Sequence, residues 1–99
     1  MTVVGSGGVA IKKIHRTKKF EKDFKKLSSH YKELFANKLR DLLKNPRPPG
    51  LKFEKLKGYR RPDIFTIHLD GNYKASFEIE GDMVIFRTVG PHDKIDRSP

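Results

Sequence analysis

The sequence contains no cysteine, and its longest apolar stretches are only a few residues long. The absence of cysteine excludes disulfide bonds, thiolate zinc sites and a cysteine nucleophile. The apolar stretches are too short for a membrane-spanning helix, which needs about 20 apolar residues. Residues 1–8 also lack the basic and apolar segments of a secretory signal peptide. We expect residues 1–8 to form a flexible leader and residues 9–99 to form a single domain.

Acidic residues are scarce relative to basic ones. The 99 residues include 12 Asp and Glu against 22 Lys and Arg, which gives a formal net charge of +10 (22 minus 12). Ordinary solubility requires a smaller net charge than this. Such a surplus on a small surface favours a polyanionic partner, either nucleic acid or an acidic protein. A basic domain without any anionic ligand is the alternative interpretation.

The first half of the chain predicts a strand followed by two amphipathic helices. Residues 9–16 are rich in β-branched side chains and fit a strand. Thr17 can cap a first helix, and Ser28 or Ser29 can cap a second one that ends at Asn45-Pro46. Apolar residues at helical spacing mark the buried sides of the helices: Phe20, Phe24, Leu27, Tyr31, Leu34, Phe35, Leu39, Leu42 and Leu43. Two helices joined by so short a turn form an antiparallel hairpin.

The second half of the chain predicts three strands with alternating side chains. The strands are residues 64–69, 73–80 and 83–89, and residues 70–72 and 81–82 form the turns between them. The fold class is therefore α+β in the order β-α-α-β-β-β, with the helix hairpin packed on one face of a small, mainly antiparallel sheet. By alternation, the opposite and open face carries His68, Lys74 and Glu78.

Acid–base and cationic side chains converge on this open face and on the loop after the last strand, which holds His92. An imidazole among cations fits RNA cleavage without a metal ion, because His exchanges protons near neutral pH and Lys and Arg stabilise phosphate charge. The direction of Arg87 stays open, since the last strand is apolar on both faces and a bulge before Gly90 would change it. The histidines lack the spacing of a zinc site.

The order of the elements and four short strings resemble the RelE/ParE superfamily of bacterial and archaeal toxins. Residues 14–27, IHRTKKFEKDFKKL, look like the family's opening strand and first helix. Residues 55–58 are similar to its Leu-basic-Gly string, and residues 72–74 lie where the family often has Gly-Tyr-Arg. Residues 87–92, RTVGPH, resemble the closing Gly-x-Arg or Gly-x-His string, nearest to the YafQ-like branch that carries His. The resemblance spans roughly residues 9 to 97.

The resemblance implies a cytoplasmic toxin of a type II toxin–antitoxin system. Members of the RelE branch are ribosome-dependent mRNA endonucleases, which use the ribose 2′-hydroxyl as the nucleophile without a metal or other cofactor. The implied partners are a small acidic antitoxin and the ribosome with its mRNA, with no membrane and no small-molecule cofactor. Two alternatives stay open. The ParE branch shares the fold but inhibits DNA gyrase without cleaving RNA, and a degenerate relative would only bind RNA or an acidic protein.

The resemblance also implies roles for single residues. His92 falls on the position where the family places a catalytic Arg or His, and His68 on a catalytic basic position of the second strand. Lys74 matches the Arg that holds the scissile phosphate. Arg87 is a candidate to share that charge, because Lys lacks the bidentate fork of Arg. For each histidine, an ordinary surface position is the alternative interpretation.

One departure from the family lies just after His92, where an aromatic residue is common. Ile95 and Asp96 occupy that stretch here, which makes Asp96, or Asp93 beside His92, a candidate for proton transfer. Contacts to the RNA backbone are expected from a basic connector between the helices and the second strand. Its candidate residues are Lys52, Lys55, Lys57, Arg60 and Arg61.

Overall fold

A computed structural model describes residues 11–44, 53–55 and 63–99. The expected leader at residues 1–8 lies outside the described residues, and so do four members of the basic connector, Lys52, Lys57, Arg60 and Arg61. The fifth member, Lys55, is described and exposed.

The first described element is strand β1, Lys13–Arg16, followed by helices α1, Lys18–Lys25, and α2, Ser29–Leu43. The Thr17 hydroxyl accepts a hydrogen bond from the Phe20 amide at 3.1 Å, and Ser28 caps α2 in the same way. Each cap satisfies a backbone donor that the first helical turn leaves open. None of the helices in the described ranges has the length and apolar composition needed to span a membrane.

The described strands form a five-stranded sheet in the order β1-β5-β4-β3-β2. Strand β2 is Phe53–Lys55, β3 is Phe65–His68, β4 is Tyr73–Glu80 and β5 is Met83–Pro91. Neighbours from β2 to β5 are antiparallel, while β1 pairs with β5 in parallel. The predicted α+β class and the order β-α-α-β-β-β are confirmed. Two short elements were not predicted: β2, and helix α3 at His92–Arg97.

The core lies between the helices and one face of the sheet. Phe20 of α1 has its ring centroid 5.3 Å from those of Phe35 on α2 and Phe86 on β5. Phe77 of β4 lies 5.7 Å from Phe86, and Phe20, Phe77 and Phe86 are all fully buried. Burial of one such side chain contributes about 1.5–3 kcal/mol. This aromatic cluster therefore determines which face of the sheet turns away from the helices.

A bulge in β5 changes its alternation. Ser76 lies opposite Thr88, but the next residue, Phe77, lies opposite Phe86, so Arg87 is the extra residue. Because of this shift, Phe86 points to the core while Thr88 shares a face with Ser76. We call the face that carries His68, Lys74, Ser76, Thr88 and Gly90 the outer face.

Helix α3 covers part of the outer face. Asp96 of α3 pairs with Lys74, and a Cβ added at Gly90 would lie 3.7 Å from Cδ of Lys94. Ile95 is fully buried, and Lys74 is only 5% exposed. The expectation of an open polar face is therefore wrong at Lys74, because α3 packs against β4 and β5 there.

Candidate active site

Two histidines from different elements meet at the outer face. His68 is the last residue of β3 and His92 is the first residue of α3. The Nδ1 atom of His68 lies 3.2 Å from Nε2 of His92, and the ring planes cross at 70°. A hydrogen bond at this distance needs one N–H donor and one lone-pair acceptor, so one of the two nitrogens donates and the other accepts. Each imidazole of this histidine pair therefore has a neighbour that can give or take a proton.

The turn between β3 and β4 holds the histidine pair together. The Asp70 carboxylate accepts hydrogen bonds from the backbone amides of Asn72 at 2.8 Å and Tyr73 at 2.9 Å. These bonds favour the ionised carboxylate and lower the pKa of Asp70 below its ordinary value. The Asn72 carbonyl accepts the backbone N–H of His92 at 2.9 Å. The turn thus fixes the start of α3 beside the end of β3.

An aromatic stack ties the same turn to α2. The rings of Tyr31 and Tyr73 are 3.8 Å apart between centroids and inclined by 17°. The Tyr31 hydroxyl donates to the Asp70 carboxylate, and this hydrogen bond raises the pKa of Tyr31. The turn beneath His92 is therefore fixed from the helix layer as well as from the sheet.

Lys74 lies next to His68, and its side chain is buried. The two residues are directly opposite each other on β4 and β3. The Lys74 ammonium pairs with the Asp96 carboxylate, and the lysine side chain is 6% exposed against 54% for Asp96. An ammonium is costly to bury unless it is paired. The Asp96 carboxylate therefore stabilises a buried positive charge beside the histidine pair, while Asp96 itself is about half exposed to solvent.

Arg87 is directed away from this group. Its guanidinium pairs with Glu78, and its Nε lies 3.5 Å from the carbonyl oxygen of Pro99. The structure therefore brings four of the five predicted catalytic residues together as two contacting pairs. They are His68 with His92, and Lys74 with Asp96.

Asp23 belongs to the surroundings of this site, although sequence reasoning did not find it. The residue is 7% exposed on α1, where its Oδ2 accepts from the Thr88 hydroxyl at 2.5 Å and from Lys19 Nζ at 3.2 Å. Its Oδ1 accepts from Lys94 Nζ at 3.3 Å. Burial alone would raise the pKa of Asp23, but the hydrogen bonds from Thr88, Lys19 and Lys94 outweigh it, and the pKa lies below its ordinary value. The sequence offered one signal for Asp23: it is an acidic residue in a lysine-rich helix, three residues after the apolar Phe20.

Of the candidate RNA-binding residues in the basic connector, the structure describes Lys55, whose ammonium lies 3.4 Å from the Asp63 carboxylate. Helix α1 also exposes four lysines to solvent: Lys18, Lys19, Lys22 and Lys25. Within the described ranges, no cluster of three or more His, Asp or Glu side chains is arranged to hold a metal ion.

Comparison of the sequence with protein families gives a match over residues 14–95, to the ParE toxin of type II toxin–antitoxin systems, parDE. A comparison with curated proteins finds no match.

Solved structures with the same fold come from several toxin–antitoxin systems. A chain of the RelB–RelE antitoxin–toxin complex from Methanococcus jannaschii is 28% identical, with 86% of this chain and 99% of that chain covered and a TM-score of 0.66. For the Staphylococcus aureus YoeB dimer the identity is 15%, the coverage 84% and 99%, and the TM-score 0.67. For a chain of the Escherichia coli DinJ–YafQ complex the identity is 19%, the coverage is 85% of this chain and 96% of that chain, and the TM-score is 0.61. At these two lower identities the likeness concerns the fold alone.

The sequence match covers most of the chain, and the sheet and helix order agree with the toxins of this superfamily. The chain therefore belongs to the ParE toxin family within the RelE/ParE superfamily and is a toxin of a type II toxin–antitoxin system.

Proposed function

We propose that this toxin is an endoribonuclease that cleaves mRNA in the ribosomal A site and so stops translation. The observation that carries the proposal is the 3.2 Å contact between His68 and His92 beside the buried charge of Lys74. Two imidazoles in hydrogen-bond contact next to a cation supply the acid, the base and the charge that metal-free RNA cleavage requires.

The proposed reaction needs two proton transfers and one stabilised charge. The ribose 2′-hydroxyl loses its proton to one imidazole as its oxygen bonds to the adjacent phosphorus. The bond from phosphorus to the 5′ oxygen breaks, and the other imidazole supplies the proton that this leaving oxygen takes up. The products are a 2′,3′-cyclic phosphate and a 5′-hydroxyl. Positioned acid and base groups of this kind contribute about 10²–10⁴-fold each.

Lys74 stabilises the charge that develops on the phosphate. Its ammonium is already desolvated, so its interaction with the dianionic phosphorane is stronger than it would be in water. In the free protein Asp96 pairs with this ammonium. The scissile phosphate would replace the half-exposed Asp96 carboxylate, which becomes available for proton transfer near His92. Arg87 takes no part in this proposal, because it pairs with Glu78.

The proposed partners follow from the charge of the chain. An acidic antitoxin is expected to cover the outer face. The chain has 22 basic side chains and only 12 acidic ones, and this positive surplus speeds association with an anionic protein. The same surplus, including the exposed Lys55, would hold ribosomal RNA. A cytoplasmic location is part of this proposal, because ribosomes are the target.

Inhibition of DNA gyrase is a second candidate, favoured by the family match to ParE toxins. The deciding experiment adds the purified toxin to translating ribosomes and maps mRNA ends by primer extension. Cuts within translated codons support the nuclease. Intact mRNA together with gyrase–DNA adducts in a parallel supercoiling assay would assign the toxin to gyrase instead. Intact mRNA and unaffected gyrase would leave a relative that only binds RNA or protein.

A further inference from the structure

We infer that Asp23 is a positioning residue, which holds α3 against the sheet and thereby keeps His92 in contact with His68. The inference concerns the site of the proposed nuclease and rests on that proposal for its functional meaning. Whether Asp23 keeps His92 in contact with His68 can be measured without any assay of activity.

Besides the hydrogen bond from the His92 amide to the Asn72 carbonyl, the attachment of α3 depends on few contacts. The helix has six residues, and Ile95 is its buried side chain. A helix this short is not stable by itself in water, so tertiary contacts have to hold it. Two ion pairs add to the burial of Ile95: Asp96 with Lys74, and Lys94 with Asp23.

The outer face of the sheet also carries buried hydroxyl groups. Thr66, Ser76 and Thr88 lie opposite one another on β3, β4 and β5, and all three are at most 1% exposed. Among the described residues, the hydroxyls of Thr66 and Ser76 have no hydrogen-bond partner. A buried polar group without a partner is costly, so the outer face gains less from burial than the core face does, and the ion pairs of α3 carry more weight.

Asp23 is the contact that joins three elements. It lies on α1, it accepts from Thr88 on β5, and it accepts from Lys94 on α3. Because Phe20 fixes α1 in the core, the Asp23 carboxylate occupies a fixed position. Lys94 lies two residues after His92, so a fixed Lys94 ammonium restricts where the His92 ring can go.

The ion pair of Asp41 and Lys44 on α2 offers matched controls. Its N–O distance is 3.2 Å, close to the 3.3 Å between Lys94 and Asp23, but both of its residues lie at one end of a single helix. Asp23→Asn removes the charge from the contact to α3 and Lys94→Met removes its donor, while Asp41→Asn and Lys44→Met make the same chemical changes elsewhere. Lys94→Met also keeps an unbranched apolar stem over Gly90, and Lys94 is exposed enough for the variant to fold.

The first measurement is NMR of the histidine rings in the purified toxin. The ring centroids are 4.8 Å apart, so protons of the two rings should give a mutual NOE in the wild type. We expect Asp23→Asn and Lys94→Met to weaken or remove this NOE and to shift the imidazole nitrogen signals of both residues. Asp41→Asn and Lys44→Met should leave them unchanged. An unchanged NOE and unchanged nitrogen signals in both Asp23→Asn and Lys94→Met would overturn the inference.

The second measurement is single-turnover cleavage on ribosomes. A small displacement of a reacting group can cost about 10²-fold, so we expect Asp23→Asn and Lys94→Met to lower the maximal rate by about 10- to 100-fold. The KM for ribosomes should change little, because neither residue is placed at the RNA contact. If the wild type cleaves and both variants cleave at its rate, the inference fails. If the wild type does not cleave, the proposed function fails, and the NMR result still decides the role of Asp23.

Discussion

The two faces of the sheet are held by different kinds of interaction. On the core face, buried phenylalanines from α1, α2, β4 and β5 lie with ring centroids 5.1–5.7 Å apart. On the outer face, the buried groups include an ammonium, a carboxylate and three hydroxyls. Apolar packing is non-directional and tolerates small shifts, whereas paired polar groups need defined distances. The core face therefore supplies stability, and the outer face supplies a defined geometry that apolar packing alone would not specify.

The largest effect on stability is expected from the core face. Phe86→Ala removes a fully buried ring that contacts Phe20, Phe35 and Phe77. Truncation of a buried Phe costs about 3–5 kcal/mol, because it leaves a cavity in addition to the lost burial. Urea unfolding should show this decrease in the free energy of unfolding. A decrease below about 1 kcal/mol would show that the aromatic cluster does not dominate the core.

The largest effect on activity is expected from the outer face. His92→Ala and His68→Ala should each lower single-turnover cleavage on ribosomes by about 10²–10⁴-fold, the usual range for a general acid or base. The free energy of unfolding and the affinity for ribosomes should change little, since lysines and arginines carry binding. His15→Ala is the control, because His15 is exposed on β1. Full cleavage by both site variants would remove the histidine pair from the mechanism.

How far the sequence predicted each face follows from the same physical difference. Alternation placed Phe77 and Lys74 on opposite faces correctly, because burial of apolar side chains repeats with the period of the strand. Alternation also placed His68 beside Lys74. The class and element order were likewise accessible from periodicity and turn residues.

What the sequence did not predict depends on contacts between distant elements. Helix α3 is too short for a periodic signal, so its packing over Lys74 was missed. The bulge at Arg87 was recognised only as an option, because nothing local decides its direction. Asp23 contacts Thr88 and Lys94, which are 65 and 71 residues away in the chain. A pattern read along the sequence has no access to such pairs.

A substitution at Lys74 would separate stability from function on the outer face. Lys74→Met replaces a buried ammonium by an apolar side chain of similar length, which removes the cost of burying that charge. The half-exposed Asp96 loses its partner, but water can solvate it. We expect unchanged or higher stability in urea unfolding, with loss of both cleavage rate and some RNA affinity. A variant that is destabilised but cleaves normally would mean that the Lys74 charge serves the fold alone.

The smallest effect is expected in the acid dependence of stability at Asp23. The pKa of Asp23 is lower in the folded protein than its ordinary value of 3.8, because hydrogen bonds to Thr88, Lys19 and Lys94 outweigh the burial that would raise it. A carboxyl group with a lowered folded pKa stabilises the fold above its unfolded pKa and loses that contribution as the pH falls through the folded value. Asp23→Asn should therefore be less stable than the wild type at pH 7, and the difference between them should shrink below about pH 4.

Urea unfolding at pH 7 and at pH 3 measures this difference directly. Asp41→Asn is the control, because Asp41 pairs with Lys44 at the surface, where such a pair contributes about 0–1 kcal/mol. Its difference from the wild type should be small at both pH values. If Asp23→Asn behaves like Asp41→Asn, the ionised carboxylate of Asp23 does not stabilise the outer face. The contrast between an apolar core face and an ion-paired outer face would then rest on the ion pairs of Lys74 with Asp96 and of Arg87 with Glu78.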